Sequence, residues 1–194
     1  MKVIETKLDG VLILEPRVFA DERGRFVETW NAERYAEAGI SGPFVQDNVS
    51  VSKRSVLRGL HFQNPNPQGK LVSVLQGAVY DVAVDLRRGS PTFAEWISAE
   101  LSAENGRQMW IPQGFAHGFQ ALGDGTVFGY KCTAPYSPAD ERSLRWDDPA
   151  LGIAWPLDES LVSAKDAAAP TLFETPEAHL FRTTVPAALD EMNA

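Results

Sequence analysis

Apolar and polar residues alternate in short runs along most of the chain, and glycine, proline and asparagine break the runs. Val11 to Glu15 (VLILE) reads as a first strand stopped by Pro16, which has no N–H to give a ladder. Asp21-Glu22-Arg23-Gly24 reads as a turn, after which Arg25 to Trp30 resumes as a strand. Asn31 is a suitable N-cap for a short helix, AERYAEA, with Gly39 as its stop. Phe44 to Ser52 (FVQDNVSVS) alternates: Val45, Asp47, Val49 and Val51 share one face, and Gln46, Asn48, Ser50 and Ser52 the other. The polar set is either a pocket wall or the wet side of a sheet, and the residues alone favour the wet side. Leu57 to Gln63, Lys70 to Gly77 and Ala78 to Leu86 follow as strands, the last with Asp81 and Asp85 opposite Tyr80, Val82, Val84 and Leu86. Phe93 to Leu101 is a further strand, and Asn105-Gly106 has the composition of a hairpin turn. Gln108 to Ile111 and Gly125 to Thr133 complete the pattern, and from Ala134 onward turns multiply. There is one early helix, no repeat of fixed period and no alternation of strand with helix. This predicts an all-β double-sheet jelly roll or closed barrel and argues against a doubly wound α/β fold.

Composition narrows the function. A hydrophobic share of 44% over 194 residues supports one cored domain. The net charge of −8 excludes a general nucleic-acid surface, though a locally positive pocket for a small anion remains compatible with it. The single cysteine, Cys132, has no internal disulfide partner and fits a reducing, cytoplasmic compartment. No apolar run approaches the ~18 residues needed to span a membrane, and the N-terminal stretch lacks the apolar core of a signal peptide.

The candidate chemistry concentrates between Leu57 and Gly77. His61, one of three histidines, shares a strand face with Gln63, opposite Leu60 and Phe62. Arg58, Gln63 and Lys70 are costly to bury without partners or a ligand. A second histidine, His117, lies in the spacing Pro112-x-Gly114-x-x-His117. That spacing resembles the second motif of the cupin family, and the segment around His61 stands in place of the first. Metal-binding cupins carry His-x-His and an acidic ligand in the first motif. This chain has His61-Phe62-Gln63 with Lys70 nearby, a donor set unsuited to zinc, iron or manganese. No metal is therefore expected. Taken singly, His61 reads as a satisfied core residue, Asp166 as a turn or cap residue and Lys70 as a solvated charge, while Tyr130 is as readily a rim tyrosine as a site residue.

Five segments in order change that reading: Phe19–Trp30 (FADERGRFVETW), Arg58–Gln63 (RGLHFQ) with Lys70, Tyr130–Pro138 (YKCTAPYSP), Glu141–Pro149 (ERSLRWDDP) and Ser163–Pro170 (SAKDAAAP). Together they resemble the dTDP-4-dehydrorhamnose 3,5-epimerase family. The resemblance implies a cupin-type double-stranded β-helix, with a few short helices, that binds a dTDP-4-keto-6-deoxyhexose and inverts C3 and C5 without a cofactor. It implies His61 as base, Asp166 as the carboxylate that orients it, Lys70 as the cation at the enolate oxygen, and Tyr130 as proton donor from the opposite face. It places Arg23, Arg58 and Lys165 around the diphosphate, and Phe19 and Tyr136 as flat surfaces for the thymine. Glu28, Gln46 and Asn48 become polar contacts, which favours the inward reading of residues 44–52. His117 falls on the sugar side and Glu141 beside a neighbour or a ligand hydroxyl. The resemblance further implies a homodimer in which the N-terminal strands lend pocket residues across the interface, a role that fits Phe19, Arg23 and Glu28. Residues 1–182 are thus expected to form one domain, with 183–194 a tail of unassigned role. Alternatives are an epimerase of C3 or C5 alone, a metal-dependent cupin oxygenase or isomerase, and a sugar-binding cupin without activity.

Overall fold

The computed structural model describes residues 1–40 and 42–182, so the expected tail lies outside the described residues. In chain order the strands are β1 (Lys2–Glu5), β2 (Leu12–Glu15), β3 (Val18–Asp21), β4 (Gly24–Val27), β5 (Gln46–Ser52), β6 (Leu57–Gln63), β7 (Lys70–Gln76) and β8 (Ala78–Asp85). They continue as β9 (Arg87–Arg88), β10 (Trp96–Ser102), β11 (Gln108–Ile111), β12 (Phe115–Ala121), β13 (Thr126–Cys132), β14 (Glu141–Ser143) and β15 (Phe181–Arg182). Helix α1 spans Ala32–Glu37 and helix α2 Ala164–Ala167. Two antiparallel sheets face each other, one ordered β1-β2-β11-β7-β13-β5 and the other β10-β8-β12-β6-β14. This is the double-stranded β-helix, or jelly roll. β3 and β4 form a separate hairpin.

The central strands of the five-stranded sheet, β8 and β12, carry apolar residues on both faces because both faces are covered. Val79, Ala83, Phe115 and Phe119 pack inward against Val72, Val74, Met109 and Phe128 of the opposite sheet. Leu60, Val82, Val84 and Ala116 point the other way, under a C-terminal segment that contributes Leu144, Leu151, Leu172 and Leu180. Complete burial of a side chain such as Phe128 is worth about 1.5–3 kcal/mol. Helix α1 begins as expected, with Asn31 Oδ1 accepting from the Arg34 amide at 3.1 Å. It packs Tyr35 over Leu14, Leu71 and Trp110 on the outside of the six-stranded sheet.

Several expectations are corrected. The N-terminal stretch is itself a strand, β1, paired with β2 from Lys2↔Glu15 to Glu5↔Leu12. β4 ends at Val27 and not at Trp30. β10 starts only at Trp96, because residues 91–94 turn, with Thr92 and Ser90 both donating to the buried Asp85 carboxylate at 2.7 Å. Asn105-Gly106 does not close a hairpin: β10 pairs with β8, whereas β11 pairs with β2 and β7, so this corner carries the chain from one sheet to the other. Asn105 Oδ1 accepts from the amides of Ser102 and Arg107, which fixes the corner whatever strand comes next.

The wet-side reading of residues 44–52 is also overturned. Val49 and Val51 are 65% and 66% exposed, while Gln46, Asn48 and Ser50 turn inward. The physical reason is that the interior beside β5 is a polar-lined cavity and not a hydrophobic core.

Candidate active site

The cavity between the sheets has two lobes that share His61, Lys70, Tyr130 and Glu141. The first, about 330 Å³, is closed by Arg58, His117, Phe119, Phe128 and the 161–166 segment. The second, about 280 Å³, is bounded by Gln46, Asn48, Gln63, Cys132 and Tyr136. His61 enters from the five-stranded sheet, and Lys70 and Tyr130 from the six-stranded sheet.

Strand register puts the two histidines together. His61 lies opposite His117 across β6 and β12, and the ladder then shifts before Phe119. Glycine makes that shift sterically possible. Gly59 has φ +137°, and a Cβ there would meet the Gly118 Cα at 2.6 Å.

Each imidazole has its own carboxylate. His61 Nε2 is 2.7 Å from Asp166 Oδ1. Asp166 sits in α2, whose N-cap Ser163 accepts from the Asp166 amide at 3.1 Å. Burial pushes the Asp166 carboxyl upward, but the hydrogen bonds from His61, the Gly59 amide and Ser163 outweigh it and hold the group below the usual carboxylate range. His117 Nε2 lies 3.0–3.1 Å from both oxygens of Asp81, which is fully buried on β8. There burial dominates, and the carboxyl is raised despite His117 and Lys70. Among the described residues no group of three or more histidine, cysteine or acidic side chains is arranged to hold a metal ion.

Burial depresses the Lys70 ammonium, with Cys132, Asp81 and Glu141 pulling the other way. It makes no side-chain hydrogen bond or ion pair among the described residues, so its donors are available to a ligand. Burial also raises the Tyr130 phenol, so it holds its proton more firmly than a free tyrosine does.

The second lobe is prearranged by amides. Gln46 Oε1 accepts from the Tyr136 amide at 2.7 Å, and Gln46 Nε2 donates to Asn48 at 2.9 Å. Gln63 accepts from the Ser137 amide and donates to the carbonyls of Asn66 and Pro135, pinning the loop that presents Tyr136. Glu141 is shared between the Tyr136 hydroxyl and the Lys165 ammonium, and the two bonds keep its carboxylate below the ordinary range against the effect of burial.

Of the residues singled out from sequence, His61, Lys70, Asp166, Tyr130, Arg58, His117, Gln46, Asn48, Tyr136, Glu141 and Lys165 converge on this cavity. Phe19, Arg23 and Glu28 do not. Phe19 and Arg23 lie on the β3–β4 hairpin and Glu28 just beyond it, lining separate surface depressions, and Arg23 is tied to Asp21 at 2.6 Å. Asp147 and Asp148 serve a turn: Asp148 accepts from the amides of Ala150 and Leu172. Sequence reasoning missed Asp81 as the partner of His117, and Ser163 as the cap. The Ser-x-x-Asp spacing of Ser163 and Asp166 was a legible capping signal. The Asp81 contact needs the β8–β12 register, which places Asp81 opposite Phe119.

This geometry has close counterparts among known proteins. The family model of dTDP-4-dehydrorhamnose 3,5-epimerase matches residues 5–174. The chain belongs to the dTDP-4-dehydrorhamnose 3,5-epimerase family. It is similar to the enzyme of that name from Salmonella typhimurium, with 56% identity over 175 residues, 89% of this chain and 96% of that one. The enzyme of that name from Methanothermobacter thermautotrophicus is 52% identical over 178 residues, 90% and 96% of the two chains. A solved dTDP-6-deoxy-D-glucose-3,5-epimerase from Legionella pneumophila, in complex with dTDP-4-keto-L-rhamnose, superposes with a TM-score of 0.91 at 52% identity, covering 93% of this chain and 97% of that one. Among the described residues of this epimerase, no helix is long and apolar enough to cross a membrane.

Proposed function

We propose that this epimerase inverts C3 and C5 of dTDP-4-dehydro-6-deoxy-D-glucose, giving dTDP-4-dehydro-L-rhamnose, with His61, Lys70, Tyr130 and Asp166 as its working groups. Both C–H bonds lie α to the C4 ketone, so loss of either proton gives an enolate. His61 takes the proton on one face and becomes imidazolium, which the Asp166 carboxylate stabilises. The Lys70 ammonium bonds the oxygen on which negative charge develops. Tyr130 donates its proton to carbon from the other face, completing the inversion. Before the second inversion the imidazolium loses its proton to water and the phenol regains one. The ketone already in the substrate supplies the acidity, so no cofactor enters.

The observation that carries this reading is a histidine held by a carboxylate at 2.7 Å on one wall, with a phenol and an ammonium on the other. Arg58 suits the diphosphate, where a guanidinium makes forked bonds, and Lys165 adds charge beside it. Gln46, Asn48, Tyr136 and Glu141 suit the nucleoside side of the cleft, and His117 the sugar side. Residues 1–182 act as one catalytic unit, in the cytoplasm, on a small-molecule substrate.

The hairpin residues reach a site only in a second copy. Phe26 is 69% exposed and Phe19 50%, and the outward valines of β5 lie beside the similarly exposed Leu75. An apolar face and a projecting aromatic hairpin suit a homodimer in which each chain lends Phe19, Arg23 and Glu28 to its partner's cleft. Sedimentation should give a dimer. Mixing inactive His61→Ala with inactive Arg23→Ala subunits should restore activity, and no recovery would count against the lending of residues.

The deciding experiment is NMR of dTDP-4-keto-6-deoxyglucose with enzyme in deuterated water. Deuterium should enter at both C3 and C5. Entry at one carbon only would make the protein a single epimerase, and a requirement for added metal would favour the metal-dependent class.

A further inference from the structure

Asp166 does not belong to the barrel that carries His61. It arrives on a strap, residues 157–166, laid along β6 and β12 from outside. Leu161, Ser163, Lys165 and Asp166 of this strap form one wall of the cleft. Two backbone bonds fix its middle: Leu57 N donates to the Leu161 carbonyl at 2.9 Å, and Leu161 N to the Ser55 carbonyl at 2.8 Å. Beyond α2, Arg145 N donates to the Pro170 carbonyl. The approach to α2 from its N-terminal side depends on one further side chain.

That side chain is Gln120. It sits on β12, where Phe119 faces the core between the sheets and Gln120 the opposite side. It is completely buried, an expensive place for a primary amide unless every group is used. Here every group is used on the strap. Oε1 accepts from the Leu157 amide at 3.2 Å, and Nε2 donates to Ser160 Oγ at 2.9 Å, with longer contacts to the carbonyls of Glu159 (3.3 Å) and Leu157 (3.4 Å). An apolar residue would fill the same volume beneath the strap but hold it in no particular register, whereas an amide saturated on both sides accepts one register only.

We propose that Gln120 is a positioning residue for epimerisation: by clamping Leu157–Ser160 it sets where α2 begins, and so where Asp166 meets His61. The proposal rests on the reading of Asp166 and His61 as a working pair. Gln120 lines neither lobe of the cleft and makes no hydrogen bond to His61. Removal of Gln120 frees Leu157–Ser160, and a displacement of about 1 Å passed on through Leu161 to a catalytic contact costs on the order of 10²-fold in rate.

The test is steady-state kinetics of Gln120→Leu, Asp166→Asn and the double variant, with deuterium exchange at C3 and C5 as a second readout. Gln120→Leu should lower kcat and exchange by about 10²-fold while KM stays within about threefold, because the diphosphate contacts are elsewhere. The double variant should be little slower than Asp166→Asn alone, since both changes act through one contact. Multiplying losses, or a lowered melting temperature with kcat unchanged, would reduce Gln120 to a structural role. If Asp166→Asn is itself fully active, the reading of the pair fails, and not merely the clamp. Should Gln120→Leu not fold, Ser160→Ala decides. It removes the shortest clamp bond and should lower kcat about three- to ten-fold at unchanged KM; wild-type kcat there would overturn the proposal.

Discussion

The barrel holds two histidine–aspartate pairs that are alike in contact and opposite in setting. His61 has 31% of its side chain open to the cleft, and its carboxylate comes from a strap outside the barrel, with a depressed pKa. His117 is 9% open, and Asp81 comes from the neighbouring strand with a pKa raised by burial. The first pair couples a reachable ring to a carboxylate that stays ionised, which the role of base proposed for His61 needs. The second lies between a stacked aromatic, Phe128 at 6.0 Å, and a sealed carboxyl, and forms a polar floor. A shared residue-type pattern therefore does not specify a shared role; exposure and the origin of the carboxylate separate them.

The sharpest way to break this distinction is to remove each ring in turn. His61→Ala should abolish exchange at both carbons, a loss of about 10⁴-fold, while dTDP binding by calorimetry stays near wild type. Exchange retained in that variant, and lost in His117→Ala, would reverse the two roles. Next in size is Lys70→Gln, which faces both pairs and should lower kcat about 10²–10³-fold. In the proposed mechanism Lys70 acts protonated, and burial depresses its pKa, so activity should fall as pH rises, beginning below the ordinary lysine value of about 10.4. The limb should vanish in Lys70→Gln; a limb that persists unchanged belongs to another group.

Tyr130→Phe should lower epimerisation about 10²-fold and exchange by less than tenfold, since proton removal on the His61 side does not need the phenol. Equal losses would place both proton transfers on one face. Smallest for activity is Asp81→Ala. It leaves a buried imidazole unpaired and should cost about 1–3 kcal/mol in denaturant unfolding, with a modest drop in kcat. A kcat loss as deep as that of Asp166→Asn would make the two pairs equivalent.

Much of this was legible in the residues, and the failures share a cause. Alternation gave the strands and even turned Asp81 away from Val82, yet no one-dimensional pattern pairs Asp81 with His117, because that contact depends on register between two strands. The amphipathic rule misjudged β5, since it assumes that the inside of a barrel is oily; here the inside is a cavity, and the valines were turned out. Asn105-Gly106 announced a reversal but not whether the next strand returns to the same sheet. Phe19, Arg23 and Glu28 were recognisable only through the family pattern, because a single chain gives them no cavity in common with His61. Gln120 carried no signal at all: a buried glutamine in HGFQA is silent until the strap that it holds is in view.

The contact of Gly59 with Gly118 limits how this protein could be redesigned. Both imidazoles hang from a tight seam in the wall, where a Cβ on Gly59 would lie 2.6 Å from the Gly118 Cα and one on Gly118 would lie 2.9 Å from the Arg58 carbonyl. One added methyl would prise open the very strands that aim both imidazoles. Redesign of the cleft has to leave this seam bare.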